Sequence, residues 1–216
     1  MLNKHFYRAL LRDTLNRLRF GRAAPRYGER IWVNAPDCRG YLSTQVVRKF
    51  FRQRPRSSSA LVVSKWPSSG ILPLSSHPKV HYCLRRWGEG LSWEEAGAHD
   101  YMLSRMASSQ TGSFDGCRTR EDIDKRLAQL DRIFETVRAE GRFREARELS
   151  GDHFRETGAT LIHLGPNAVP FFAGAGAHRF AMALVLDLPL PAQLGLVHRT
   201  ALPQLKDFRF RPQSGA

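Results

Sequence analysis

Apolar residues recur along the chain with two spacings, and each spacing predicts its own kind of element. Ile123, Leu127, Leu130, Phe134 and Val137 step by four and three, so one face of a helix is apolar. Thr119 precedes this stripe with Asp122 at the third helical position, which reads as a capping box, and Gly141 follows as a stop. Leu11, Leu15 and Leu18, extended by Phe6 and Leu10, predict a second helix over residues 3–20 with arginine on its other face. "SWEE" from Ser92, with Glu95 as the capping partner, predicts a third, running to about Met106.

The last third of the chain changes spacing. "ATLIHL" and "AVPFFA" read as strands joined tightly at Gly165-Pro166-Asn167. A glycine turn at Gly174 and Gly176 leads to a helix from about His178 to Leu186, and "PAQLGLVH" reads as another strand. "RIWVNA" and "ALVVSKW" are short strands, and "RFREAREL" is a turn or helix. Residues 67–80, with Pro67, Pro73 and Pro78, read as an irregular loop. The tail from Asp207 is mostly polar and is expected to fray.

The fold class is therefore α+β. The expected organisation is a basic arm over 1–56, an irregular and helical covering region over 57–111, a helical lead-in and core over 112–206, and a tail over 207–216.

Charge adds a direction to this picture. The chain has 216 residues and a formal net charge of +14, of which residues 1–56 carry +11. That asymmetry points to a polyanion met by the arm: nucleic acid, an anionic membrane surface or an acidic protein. Plain solubility is the competing reading. "VVRKFFRQRPR" mixes Arg48, Lys49, Arg52, Arg54 and Arg56 with two phenylalanines, the composition of a nucleic-acid patch and equally of a solvated helix. The helix over 3–20 has the character of a surface-lying amphipathic helix, though packing on its own domain is the expectation. Phe180 to Val197, the longest apolar stretch, is interrupted by Asp187, Pro189 and Pro191, so no transmembrane segment is expected. The N-terminus lacks the apolar run of a secretory signal. Cys38, Cys83 and Cys117 are far apart and match no metal spacing. A reducing, cytoplasmic setting is the expectation.

"FFAGAGAHRFAMA" carries the candidate chemistry. The first N–H groups of a helix are unpaired and attract anions. Arg179 can add a forked donor to a phosphate, and His178 a second donor or a proton-transfer group. The spacing is neither a Walker A loop nor a dinucleotide turn.

"FAGAGAHRFAMALVLDLPLPAQLGLVH" resembles the core of the ParB/sulfiredoxin-like superfamily, in which a strand and a glycine turn ending G-x-H-R lead to an Ala-rich helix and a strand. Gly176, His178 and Arg179 match that motif, Ala181, Ala183 and Leu184 the helix, and Leu188-Pro189 to Val197 the exit strand. "LIHLGPNAVPFFAG" resembles the preceding hairpin, and residues 112–143 resemble the helical lead-in of an uncharacterised bacterial branch. The likeness covers about residues 155–205. It implies nucleotide phosphates held by the turn, with ATP or CTP and magnesium as cofactors, and activities that range over kinase, nucleotide hydrolase and DNA clamp. Sulfiredoxins need a cysteine directly before the histidine. Ala177 stands there, so their thiol chemistry is excluded. Only about ten residues follow the core, too few for the DNA-binding domain of a partition protein.

Other candidates surround this motif. Gly174, His163, His198 and Arg118 join Gly176, His178 and Arg179 as possible nucleotide contacts. Asp115, Glu156 and His178 are the acid–base candidates, because a phosphotransferase must deprotonate its acceptor. His163 and His198 read equally as strand-end residues, and Asp115-Gly116 as a turn before the Thr119 cap. No metal-ligand pattern is expected. The favoured function is nucleotide binding with possible phosphotransfer. The alternatives are a nucleic-acid module using the arm and a non-catalytic interaction protein.

Overall fold

A computed structural model describes residues 4–151 and 153–212. The side chain of Arg56 and the last residues of the tail lie outside the described residues. The fold is α+β, built on a mixed sheet. The helices are α1 (Lys4–Phe20), α2 (Thr44–Phe51), α3 (Pro78–Trp87), α4 (Ala98–Ala107), α5 (Arg120–Glu140), α6 (Ala146–Leu149) and α7 (Ala177–Leu186). The strands are β1 (Arg30–Val33), β2 (Tyr41–Leu42), β3 (Val62–Val63), β4 (Ile71–Leu72), β5 (Leu161–Leu164), β6 (Pro170–Phe172) and β7 (Leu190–His198).

The β5–β6 pair is an antiparallel hairpin, and β7 returns parallel to β5 after α7. β7 is the longest strand and organises the sheet. Along its other edge it pairs antiparallel with β1 and parallel with β3. β2 continues the sheet beyond β6 and pairs with β4. β1 and β2 thus bring two stretches of the basic region over 1–56 into the sheet.

Period-two alternation gives the sheet two faces. Ile162, Phe172 and Leu194 face the main core, where α3, α4, α5 and α7 pack. Phe172 stacks on Phe180 of α7 with ring centroids 4.2 Å apart. Phe171 and Leu196 face a smaller core closed by Val47 of α2. α5 forms as its pattern predicts: Thr119 and Asp122 cap it reciprocally, and Ile123, Leu127, Leu130 and Phe134 are buried. Each such side chain contributes about 1.5–3 kcal/mol of burial.

Four expectations need correction. The prolines of 67–80 do not keep that stretch irregular. β4 forms there, and Pro78 opens α3 at a first-turn position where its missing N–H is harmless. Ser92 and Glu95 do make their reciprocal bonds, but the chain turns left-handed at Gly97 and α4 starts only at Ala98. The tail is anchored as far as Arg209, which lies in a short 3-10 turn and bonds Glu29 at 2.7 Å.

The fourth concerns α1. It packs on the domain, but with its polar side. Asn16 donates to the carbonyls of Pro25 and Ala60, both at 2.8 Å. Asp13 accepts from the Tyr27 N–H and pairs with Arg155, both at 2.7 Å. The leucine stripe faces out.

Candidate functional site

Phe172 ends β6, and the chain must reverse within a few residues to begin α7. Gly174 and Gly176 do this with φ of 80° and 75°. At Gly176 a side chain is impossible for a second reason. A Cβ there would stand 2.6 Å from the Cα and Oγ1 of Thr160. No side chain caps α7, and its first turn has no acidic residue. The positive end of the helix is thus free of an internal anion.

That end opens on a cavity of about 470 Å³ between α5 and α7. Gly176, His178 and Arg179 all line it, beside Arg126 and Arg144. Leu130, Ile133, Val137, Phe143 and Met182 form an apolar wall. Glu140 also lines it, ion-paired to Arg144. Three guanidiniums stand against one carboxylate in a lining that is otherwise largely apolar.

Arg179 is half-buried. Its Nη2 donates to the Arg144 carbonyl at 2.8 Å, and its guanidinium lies 5.5 Å from the Phe143 ring centre. Its Nε–H is buried with no protein acceptor, as is that of Arg126. Burial lowers the Arg179 pKa from its ordinary value, against the pull of Glu156. Two buried donors without acceptors are a cost that the fold carries at this place.

His178 has a different part. Its Nε2 pairs with the hydroxyl of Tyr82 on α3 at 2.8 Å. Burial first, then the charge of Lys79, pushes its pKa down to about 3, with Asp115 opposing. The ring is neutral near pH 7, so it ties α7 to α3 and brings no charge to the cavity. Lys79 pairs with Asp115 at 2.8 Å. Burial alone raises the Asp115 pKa, but the bond and charge of Lys79, with His178 and Arg126, hold it below the ordinary range. Asp115 sits at φ 54°, a left-handed position that Asp tolerates.

The other sequence candidates do not all converge. Asp115 lines a separate opening of about 460 Å³, which Arg126 also lines. Glu156 is buried beside a third cavity of about 480 Å³, where its Oε1 accepts from the Ala146 N–H at 3.1 Å. Burial raises its pKa. Arg118 is exposed. Gly174 lies against the rings of Tyr41 and His77. His163 is fully buried in β5 and lines none of these cavities. Its Nδ1 accepts the Leu196 N–H at 2.9 Å, and burial pushes its pKa down to about 3. His198 bonds Thr200 and the Ser64 carbonyl at the far end of β7. Arg48, Lys49, Arg52 and Arg54 are exposed on and just past α2.

Sequence reasoning missed Arg126, Arg144, Tyr82 and Lys79. Arg126 stood in plain view one residue before Leu127, on the flank of a helix face read only as core. Arg144 lines the cavity from the loop after α5, and Tyr82 of α3 bonds His178, with no local motif at either position.

Among the described residues, no group of three or more His, Cys, Asp or Glu is placed to hold a metal, and no helix is long and apolar enough to cross a membrane. No protein-family model, curated protein or solved structure matches this chain.

Proposed function

We propose that the cavity between α5 and α7 binds a nucleotide, phosphates at the Gly176 end and base against the apolar wall. One observation carries the reading. The three motif residues Gly176, His178 and Arg179 line the same cavity as two further arginines, Arg126 and Arg144. The uncapped start of α7 and the guanidiniums of Arg126 and Arg179 that line the cavity suit phosphate oxygens. The resemblance to the ParB/sulfiredoxin-like superfamily, carried by G-x-H-R and by the order of hairpin, glycine turn, helix and strand, supports the same ligand class.

The reading is binding rather than group transfer. Asp115 and Glu156, the carboxylates suited to act as base, open onto other cavities. The resemblance implies magnesium as well. Here Glu140 is engaged by Arg144 and Asp115 by Lys79, so the residues present do not make a magnesium site.

The test is a thermal-shift panel of ATP, CTP, GTP, ADP and inorganic triphosphate. Ligand at about a hundred times its Kd stabilises by about 2.7 kcal/mol. For a chain of this size that is a rise of about 5–10 °C in Tm. A flat panel with folded protein refutes the proposal. A shift with inorganic triphosphate equal to that with ATP removes the base from it.

A further inference from the structure

α1 is an amphipathic helix mounted inside out. At about 100° per residue, His5, Ala9, Arg12, Asp13, Asn16 and Phe20 share one narrow arc, and that arc faces the domain. Tyr7, Leu11 and Leu18 occupy the opposite arc, Leu15 and Leu10 lie to either side of it, and Phe6 borders the inward arc. Leu18 is 80% exposed, Leu11 65%, Tyr7 59% and Leu10 58%. A helix hydrogen-bonded to its domain through Asn16 and Asp13 cannot roll to bury this stripe without breaking those bonds. The stripe runs the length of a 17-residue helix, about 25 Å. An exposed apolar face of that extent marks an interaction surface.

The charges beside it say what kind of surface it meets. Arg8, Arg17, Arg19 and Arg22 are exposed along its flanks and just past its end. The one acid of α1, Asp13, is turned inward to Arg155. Next to the C-terminal end of α1 lies a cavity of about 520 Å³ lined by Arg17, Arg22, Arg26 and Arg209. Asp13 also lines it. Among the described residues Arg17, Arg22 and Arg26 form no ion pair. Arg209, held by Glu29, donates to the carbonyls of Ala23 and Ala24 and so fixes this corner.

We propose that α1 docks this protein on an anionic lipid bilayer. The helix lies in the plane of the headgroups with its leucines and Tyr7 toward the acyl boundary, and the arginine-lined cavity takes a lipid phosphate. A nucleic acid has phosphates for the arginines but no partner for the exposed Tyr7, Leu10, Leu11 and Leu18. An anionic bilayer complements both. The inference is independent of the nucleotide cavity.

The experiment is vesicle flotation of the full chain, using phosphatidylcholine with and without phosphatidylserine. Leu11→Asp/Leu18→Asp and Arg17→Glu/Arg22→Glu variants are run beside it. All four positions are exposed, and an unchanged Tm verifies that the variants fold. The expected result is flotation with anionic vesicles only, reduced at least tenfold in each variant and weakened by salt. No flotation with anionic vesicles overturns the proposal, as does flotation that Leu11→Asp/Leu18→Asp leaves intact. Two further arms use a short DNA or RNA duplex and light scattering. Duplex binding that survives the leucine variant while vesicles fail assigns the arginines to nucleic acid. A dimer lost in the leucine variant, without flotation, assigns the stripe to a second copy of the chain. Either result overturns the lipid assignment.

Discussion

The hydroxyl of Tyr82 and Nε2 of His178 are 2.8 Å apart, joining the middle of α3 to the first turn of α7. Both groups are uncharged near neutral pH, since burial lifts the Tyr82 pKa far above its ordinary value and pushes that of His178 down to about 3. The pair therefore positions the start of α7 without adding charge to the cavity. Tyr82→Phe leaves a buried ring nitrogen unpaired and is expected to cost about 1–3 kcal/mol in urea unfolding. It is also expected to weaken nucleotide binding several-fold while leaving the salt dependence of that binding unchanged. A Tyr82→Phe protein as stable as the parent contradicts this role.

A second relationship fixes the sheet. A Cβ at Gly195 of β7 would stand 2.1 Å from Nδ1 of His163 on β5. The His163 ring is fully buried and has no room to retreat. Gly195→Ala is expected to destabilise by about 3 kcal/mol or more, as overpacking does. Adding His163→Ala restores space, so the double variant is expected to lose less than the sum of the two singles. Additive losses would show that the clash is not the cause.

Acid sensitivity follows from the buried histidines. His163 and His178 have folded pKa values near 3 against an ordinary 6.5, so the unfolded chain binds more protons between those limits. Their contribution is complete above pH 6.5 and is lost as pH falls toward 3. Each adds a slope of about 1.4 kcal/mol per pH unit inside that window. His163→Gln keeps an acceptor for the Leu196 N–H and removes one titrating group. The slope between about pH 6 and 4.5 is then expected to fall by about 1.4 kcal/mol per unit, measured by urea unfolding across pH. An unchanged slope contradicts the assignment.

Asp131 carries an unusual share of the helical layer. Its carboxylate accepts from Arg86 at 2.8 Å, from the Trp87 indole at 2.8 Å and from the Trp93 indole at 3.0 Å. It holds α3 and the turn after it against α5. Asp131→Ala strands two indole donors and a guanidinium at once and is expected to cost about 3 kcal/mol. A loss below about 1 kcal/mol, the range of an exposed ion pair, would deny it that role.

Much of this architecture was legible in the residues themselves. α5 announced both its ends, because Thr119, Asp122 and Gly141 act locally. The hairpin, glycine turn, α7 and β7 follow from a change of spacing that needs no distant partner. α3 was hidden because Pro78 serves equally as a breaker and as a first-turn residue, and only packing decides between them. The stripe on α1 was visible, yet periodicity does not say which way a stripe faces. Asn16 and Asp13 decide that through Pro25, Tyr27, Ala60 and Arg155, remote contacts that no local pattern contains. Gly176, His178 and Arg179 were singled out by their motif, and they line one cavity. Arg126 from α5, Tyr82 from α3 and Arg144 from the loop after α5 come together around α7 only in the fold. His163 read either as a nucleotide contact or as a strand-end residue, and it is fully buried in β5, where Gly195 on the neighbouring strand makes room for its ring.

The central claim is that the cavity between α5 and α7 holds nucleotide phosphates at the Gly176 end. Calorimetric titration of ATP and CTP into the parent, Arg179→Ala and Ile133→Glu tests it most directly. Ile133 lines the cavity yet is 38% exposed, so a glutamate there adds repulsion with little strain on the fold. Saturable heat in the parent, weakened at least tenfold in both folded variants, is the expected result. No heat in the parent, or binding that both variants retain, contradicts the account.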